Sequence, residues 1–143
     1  MLAAFAAVIA IAADLALIEP KDLAARLSAS GDKPVVIQVG PNVLYRSRHI
    51  PDALYAGPGS KPEGLELLKA AVAKLPHDRE IVLYCGCCPW DRCPNIKPAI
   101  ELLKQSGFTR VSALYIPENF KTDWIDHGYP VTSPAESSNG PRH

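Results

Sequence analysis

The segment Ile81-Val82-Leu83-Tyr84-Cys85-Gly86-Cys87-Cys88-Pro89-Trp90-Asp91-Arg92-Cys93-Pro94-Asn95 decides the fold and carries most of the chemistry. A β-branched apolar strand ends on Cys85, a loop rich in Cys, Pro and Gly follows, and a helical pattern starts behind Asn95, a residue type favoured at helix N-caps. All four cysteines of the 143-residue chain lie in this loop and at its edge. Scattered cysteines would suggest stapling, whereas four so close together suggest a site. A thiol at the end of a buried strand, facing backbone amides that lead into a helix, is placed to become a reactive thiolate.

Working outward, the chain alternates strands and helices. Leu15 to Ile18 is a short apolar run, and Glu19-Pro20-Lys21-Asp22 opens a helix whose apolar face is Leu23, Ala24 and Leu27. Pro34 to Val39 is rich in Val and Ile, as in a parallel strand covered on both faces. His49 to Ala56 reads as a turn and a short strand, and Glu63 to Leu75 as a helix facing inward through Leu65, Leu68 and Val72. Glu80 to Tyr84 is a buried strand, Ile96 to Ser106 a helix stopped by Gly107, Val111 to Ile116 the last strand, and Phe120 to Asp126 a short closing helix. This alternation predicts a single α/β domain over residues 14–131, an open parallel sheet with helices on both faces. There is no internal repeat and no second domain.

Composition narrows the function. Lys plus Arg and Asp plus Glu number 15 each, and no basic block exists to neutralise a line of phosphates, so nucleic acid is not an expected partner. The 14 prolines, about twice the usual share, fall largely in the connections, as expected of ordered loops that shape a site. Residues 1–13 carry no charge and are too few for a spanning helix, which needs roughly 20 apolar residues. With Ala10-Ile11-Ala12 as a small-x-small cleavage pattern, they read as a signal peptide, with an apolar N-terminal helix packed on the domain as the other reading. A signal would send the protein to the periplasm or outside the cell with no stable membrane insertion afterwards; without it the expectation is cytoplasmic. Residues 132–143 read as a disordered tail.

Over Glu19 to Val131 the chain resembles the rhodanese-like domain. Pro34 to Val39 looks like the family's first signature strand, His49-Ile50-Pro51-Asp52-Ala53 is similar to its His-Ile-Pro-Gly-Ala turn, and Ile81 to Cys85 sits where its strand delivers the catalytic cysteine. Gly107 to Val111 resembles the segment after its active-site helix, and Trp124 falls near its closing Trp. There are departures. Gln38 and Gly40 stand where the family usually has an Asp and a charged residue, Ile116 to Phe120 replaces a Gly-Gly, and residues 86–94 form a longer active loop with three additional cysteines.

The resemblance implies a sulfurtransferase or persulfide carrier with Cys85 as the nucleophile. Sulfane sulfur would come from a donor such as thiosulfate or a protein persulfide and go to a thiol or cyanide. No cofactor is implied and no metal assigned. Read from the residues alone, Cys85 is a thiolate stabilised by loop N–H groups, the helix N-terminus and Arg92, the only cation of the loop, and the other reading is a buried inert thiol. Gly86, Cys87, Cys88, Trp90 and Arg92 are the candidate substrate-binding residues. Cys87, Cys88 and Cys93 are open to three readings: a disulfide with Cys93 as one partner, a resolving thiol, or ligation of a soft metal. The spacing Cys-x-Cys-Cys-x4-Cys is not a standard zinc pattern and has no second pair elsewhere in the chain, while the four histidines read as surface or turn residues. Two other functions stay open: an oxyanion reductase or phosphatase on the same fold, and a non-catalytic metal- or partner-binding module.

Overall fold

Strand β4, Ile81–Tyr84, is buried at every position and holds the centre of the sheet. In the computed structural model, which describes residues 15–133, five parallel strands run in the order β1-β5-β4-β2-β3. The others are β1 (Leu17–Ile18), β2 (Val35–Gln38), β3 (Leu54–Tyr55) and β5 (Val111–Leu114). Val35 to Gln38 pair in register with Ile81 to Tyr84, and Ile81 to Leu83 with Val111 to Ala113. Parallel pairing requires crossover connections, and the helices supply them.

The alternation of side chains along β4 sorts the core into two halves. Ile81, Leu83 and Cys85 pack with Leu68 and Val72 of α3 (Pro62–Val72) and with Ile96, Ala99, Ile100 and Leu103 of α4 (Ile96–Gln105). Val82 and Tyr84 pack on the opposite face with Leu23 and Ala24 of α1 (Pro20–Ser28) and with Phe120 and Trp124. The expected layered α/β domain is therefore the one observed, and Cys85 faces the α3–α4 side at the carboxyl end of the central strand.

Several local expectations are corrected. Asn42–Ser47 forms a short helix, α2, in a stretch with no assigned element. Its Tyr45 stacks on His49 at a centroid distance of 3.9 Å and donates its hydroxyl to Ala53 O at 2.8 Å. His49 is consequently a buried residue rather than a surface one, bonded through Nδ1 to Tyr45 O. The closing helix is a π-helical turn, Lys121–Ile125. Thr132, expected to begin the tail, is bridged to His49. The apolar leader and residues 134–143 lie outside the described residues, and no described helix is long and apolar enough to cross a membrane.

Where β4 begins, Glu80 ties α1 to the sheet. Arg26 donates to both of its carboxylate oxygens, at 2.6 and 2.5 Å, and Arg110 reaches it at 3.4 Å. The hydrogen bond from Arg26 holds the Glu80 carboxyl below its ordinary range. A group whose pKa is lowered by folding contributes stability above its unfolded value, about 4.3, and loses that contribution as pH falls through the folded value. Because Arg26 is partly exposed, Glu80→Gln should cost about 1 kcal/mol or less at neutral pH. Denaturant unfolding of both forms should show the gap closing below pH 4.3; a gap that is constant with pH would remove the ion pair from the account.

Candidate functional site

The site is built where β2 and β4 end side by side. The backbone N–H of Val39 donates to Tyr84 O at 2.8 Å, and Gln38 Nε2 donates to Cys85 O at 3.2 Å, so the last residue of the strand is held from the neighbouring one. Gln38 is itself buried, and its Oε1 has no partner among the described residues. Two residues beyond Gln38, just past the end of β2, comes Gly40. A Cβ there would collide with the Cys85 carbonyl oxygen and lie 3.0 Å from its Sγ. The missing side chain is what lets the two strand ends close on each other.

Beyond Cys85 the chain reverses through Gly86, whose φ of 86° is in the left-handed region that favours glycine. That turn brings Cys87 Sγ to 3.1 Å from Cys85 Sγ, and Cys88 Sγ stands 3.0 Å from Cys87 Sγ. The loop is tied down on its far side by Phe120 N–H to Gly86 O at 3.1 Å and by Trp90 N–H to Ile116 O at 2.9 Å. It returns through Cys93 to Asn95. The four sulfurs lie within 4.8 Å of one another, and all four cysteines are free. Cys85 and Cys93 are buried, Cys88 is half-buried and Cys87 is exposed.

Asn95 does not act as the helix cap that its position suggests. Its backbone is helical and its side chain makes no capping bond. Instead Oδ1 accepts from Ser60 N–H at 3.0 Å and Nδ2 donates to Cys85 Sγ at 3.3 Å. Tertiary partners outbid the local one, and Asn95 becomes a positioning residue for the Cys85 thiol.

The electrostatics of Cys85 also differ from expectation. The Cys87 backbone N–H and the Asn95 side chain favour the thiolate, but the hydrogen bond to Cys93 and burial outweigh them, so the thiol is pushed well above its usual range. Burial likewise pushes up Cys87, and Cys88 to about 11. Arg92 plays no part in this balance. It is exposed, and its guanidinium forms no ion pair or hydrogen bond among the described residues. Trp90 packs on Tyr115 with centroids 6.3 Å apart. Among the candidate substrate-binding residues, Gly86, Cys87 and Cys88 are therefore gathered around Cys85, while Trp90 packs on Tyr115 and Arg92 is exposed.

A cleft of about 640 Å³ opens beside the loop, lined among others by Gly86, Cys87, Ser47, Arg48, Phe120 and Lys121. Lys121 is paired with Asp126 at 2.9 Å, whereas Arg48 has no carboxylate partner among the described residues. Sequence reading passed over Arg48 because the fold, not the chain, brings it to the cleft that Cys87 also lines, 39 positions away. For Gln38 and Gly40 a signal did exist, since both depart from the family pattern at the end of β2.

The sequence profile described as Rhodanese-like domain matches residues 19–115, and the chain belongs to that family. Among solved structures, it is similar to the BH2092 protein of Bacillus halodurans, with 21% identity, a TM-score of 0.65 and coverage of 87% of this chain and 82% of that one. For the Alr3790 protein of Anabaena sp. the values are 22%, 0.63, 81% and 91%. For the polysulfide-sulfur transferase homodimer of Wolinella succinogenes they are 19%, 0.60, 92% and 86%. At these identities the likeness shows the fold alone. No curated protein matches the chain in sequence.

The closeness of Gly40 to Cys85 has a measurable consequence. The three nearest atoms that a Cβ would meet all belong to Cys85, fixed at the end of the central strand, so Gly40→Ala must push the strand ends apart. Overpacking of this kind costs about 1–3 kcal/mol, to be read from the denaturant midpoint. Wild-type stability in the variant would show that the strand ends are not closely packed.

Proposed function

We propose that the protein is a sulfurtransferase or persulfide carrier whose sulfur-bearing atom is Cys85 Sγ. The observation that carries this reading is the position of Cys85 at the carboxyl end of the central parallel strand, with the Asn95 amide donating to its sulfur. Crevices outside these strand ends are where open α/β sheets bind their ligands. Membership of the rhodanese-like family and the fold shared with a polysulfide-sulfur transferase support it.

In the loading step the Cys85 thiol gives up its proton to solvent and the thiolate attacks the outer sulfur of a donor such as thiosulfate. A new sulfur–sulfur bond forms, the donor's own breaks, and sulfite leaves with the electron pair. In the unloading step an acceptor thiolate or cyanide attacks the outer sulfur of the persulfide, and Cys85 departs as thiolate. Cys87 is exposed and adjacent to the Cys85 sulfur, which suits it to take the sulfur outward. The bond to Cys93 and burial push the Cys85 thiol up, which disfavours the thiolate at rest and guards the sulfur from unselective oxidation. An anionic donor is best met by Arg48, the cation without a carboxylate partner in the cleft beside Cys87.

Cys85→Ser should lose thiosulfate-dependent sulfur transfer entirely, because a serine hydroxyl at its free pKa is a poor nucleophile. Turnover at the wild-type rate in that variant would refute the assignment and make Cys93 the next candidate. Arg48→Ala should raise KM for thiosulfate several-fold with kcat little changed, as for a group that holds the anion equally in ground and transition states. Arg92→Ala should leave both nearly untouched; the reverse pattern would place the donor on the Arg92 side of the loop.

A further inference from the structure

We propose that Cys85, Cys87, Cys88 and Cys93 together form a tetrathiolate site for one thiophilic closed-shell cation, of which Zn²⁺ is the reference ion. As a linear pattern the cysteines lack the two separated pairs of common zinc sites, but folding supplies what the spacing does not. All four sulfurs converge within 4.8 Å of one another. A tetrahedral ion with Zn–S bonds of about 2.3 Å needs its sulfurs about 3.8 Å apart. The contacts of 3.1 Å from Cys85 to Cys87 and 3.0 Å from Cys87 to Cys88, and the outer limit of 4.8 Å, bracket that value. Side-chain rotations that move each sulfur by about 1 Å or less would meet it.

The scaffold suits such a site. Cys85, directly after β4, and Cys93, three residues before α4, are held by burial, while Cys87 and Cys88 follow the Gly86 turn and can adjust. Exposed Cys87 leaves a route for the ion to enter. Among the described residues no carboxylate or imidazole joins the group, which disfavours hard cations such as Mg²⁺ and Ca²⁺ and favours Zn²⁺, Cd²⁺ or Cu⁺. Four thiolates around a divalent ion leave two negative charges. The Asn95 amide on Cys85 Sγ and the N-terminus of α4 lie where they offset that charge. In binding, the thiol protons pass to the buffer as four metal–sulfur bonds form, and no electron is transferred. If the sulfur-transfer reading holds, one further consequence rests on it: the ion occupies the same sulfur that would carry the persulfide, so the loaded protein is inactive and a chelator restores it.

The test uses the full chain, reduced, stripped with chelator and titrated with Zn²⁺ against a chromophoric competitor. X-ray absorption then gives the first shell, and Co²⁺ gives tetrahedral visible bands with thiolate charge transfer. The expected result is one ion per chain with four sulfurs at about 2.3 Å. Cys93→Ser and, because Cys93 is buried, the exposed Cys87→Ser as well should each lose one sulfur from the shell and weaken binding by at least about tenfold, since even outer-shell losses cost that much. No stoichiometric binding, a shell with two sulfurs or fewer, or variants that bind like wild type would each overturn the inference. Sulfur transfer is measured separately on the stripped form. A stripped protein that transfers sulfur but binds no ion sinks the metal site alone, and one that binds the ion but transfers no sulfur sinks the sulfurtransferase reading alone.

Discussion

The approach of β2 to β4 at their carboxyl ends is the constraint on which the rest of the site depends. Gly40 presents no side chain to Cys85, and Gln38, two residues earlier at the end of β2, grips the Cys85 carbonyl. With the residue pinned there, the direction of its sulfur follows from strand alternation: Tyr84 goes to the α1 face and Cys85 to the α3–α4 face. Asn95 then links that sulfur to the Ser60 backbone, so the segment leading into α3, the end of β4 and the start of α4 are locked around one thiol. A larger residue at position 40 would loosen all three together.

Burial and reactivity pull against each other at this point. The hydrogen bond to Cys93 favours a neutral thiol, and burial in the core adds to that preference. Sulfur transfer needs a thiolate, and a tetrathiolate site needs several. The loop offers a resolution by grading exposure: Cys85 and Cys93 are within the core, Cys88 is intermediate and Cys87 meets solvent. The Cys85 and Cys87 sulfurs stand 3.1 Å apart, so the buried thiol is one short step from the exposed one.

Much of this was legible in the sequence, for identifiable reasons. The strands β2 and β4 are covered on both faces, and their nearly unbroken Val, Ile and Leu content announced them. The clustering of the cysteines behind β4 announced the site. What the sequence hid were interactions whose partners are remote. Asn95 satisfies every local rule for an N-cap, yet its side chain is claimed by Ser60, 35 positions away, and by Cys85. Arg92 is the only cation of the loop that follows Cys85, but the cations that line the cleft by Cys87 are Arg48 and Lys121. The helix α2 spans only six residues, Asn-Val-Leu-Tyr-Arg-Ser, too short for a periodic apolar stripe, and it is held by Tyr45 contacts that no local pattern encodes.

The claim at the centre of this account is that one particular sulfur, Cys85 Sγ, carries the transferred atom. It is tested most directly by locating that atom. The reduced, metal-free protein is treated with one equivalent of thiosulfate, the persulfide is trapped by alkylation, and the peptide spanning residues 80–97 is fragmented in the mass spectrometer. The expected result is one added sulfur on Cys85, or on Cys85 and Cys87 in a ratio that shifts outward with time. Added sulfur confined to Cys93 or Cys88, or none on the peptide while product still forms, would contradict it.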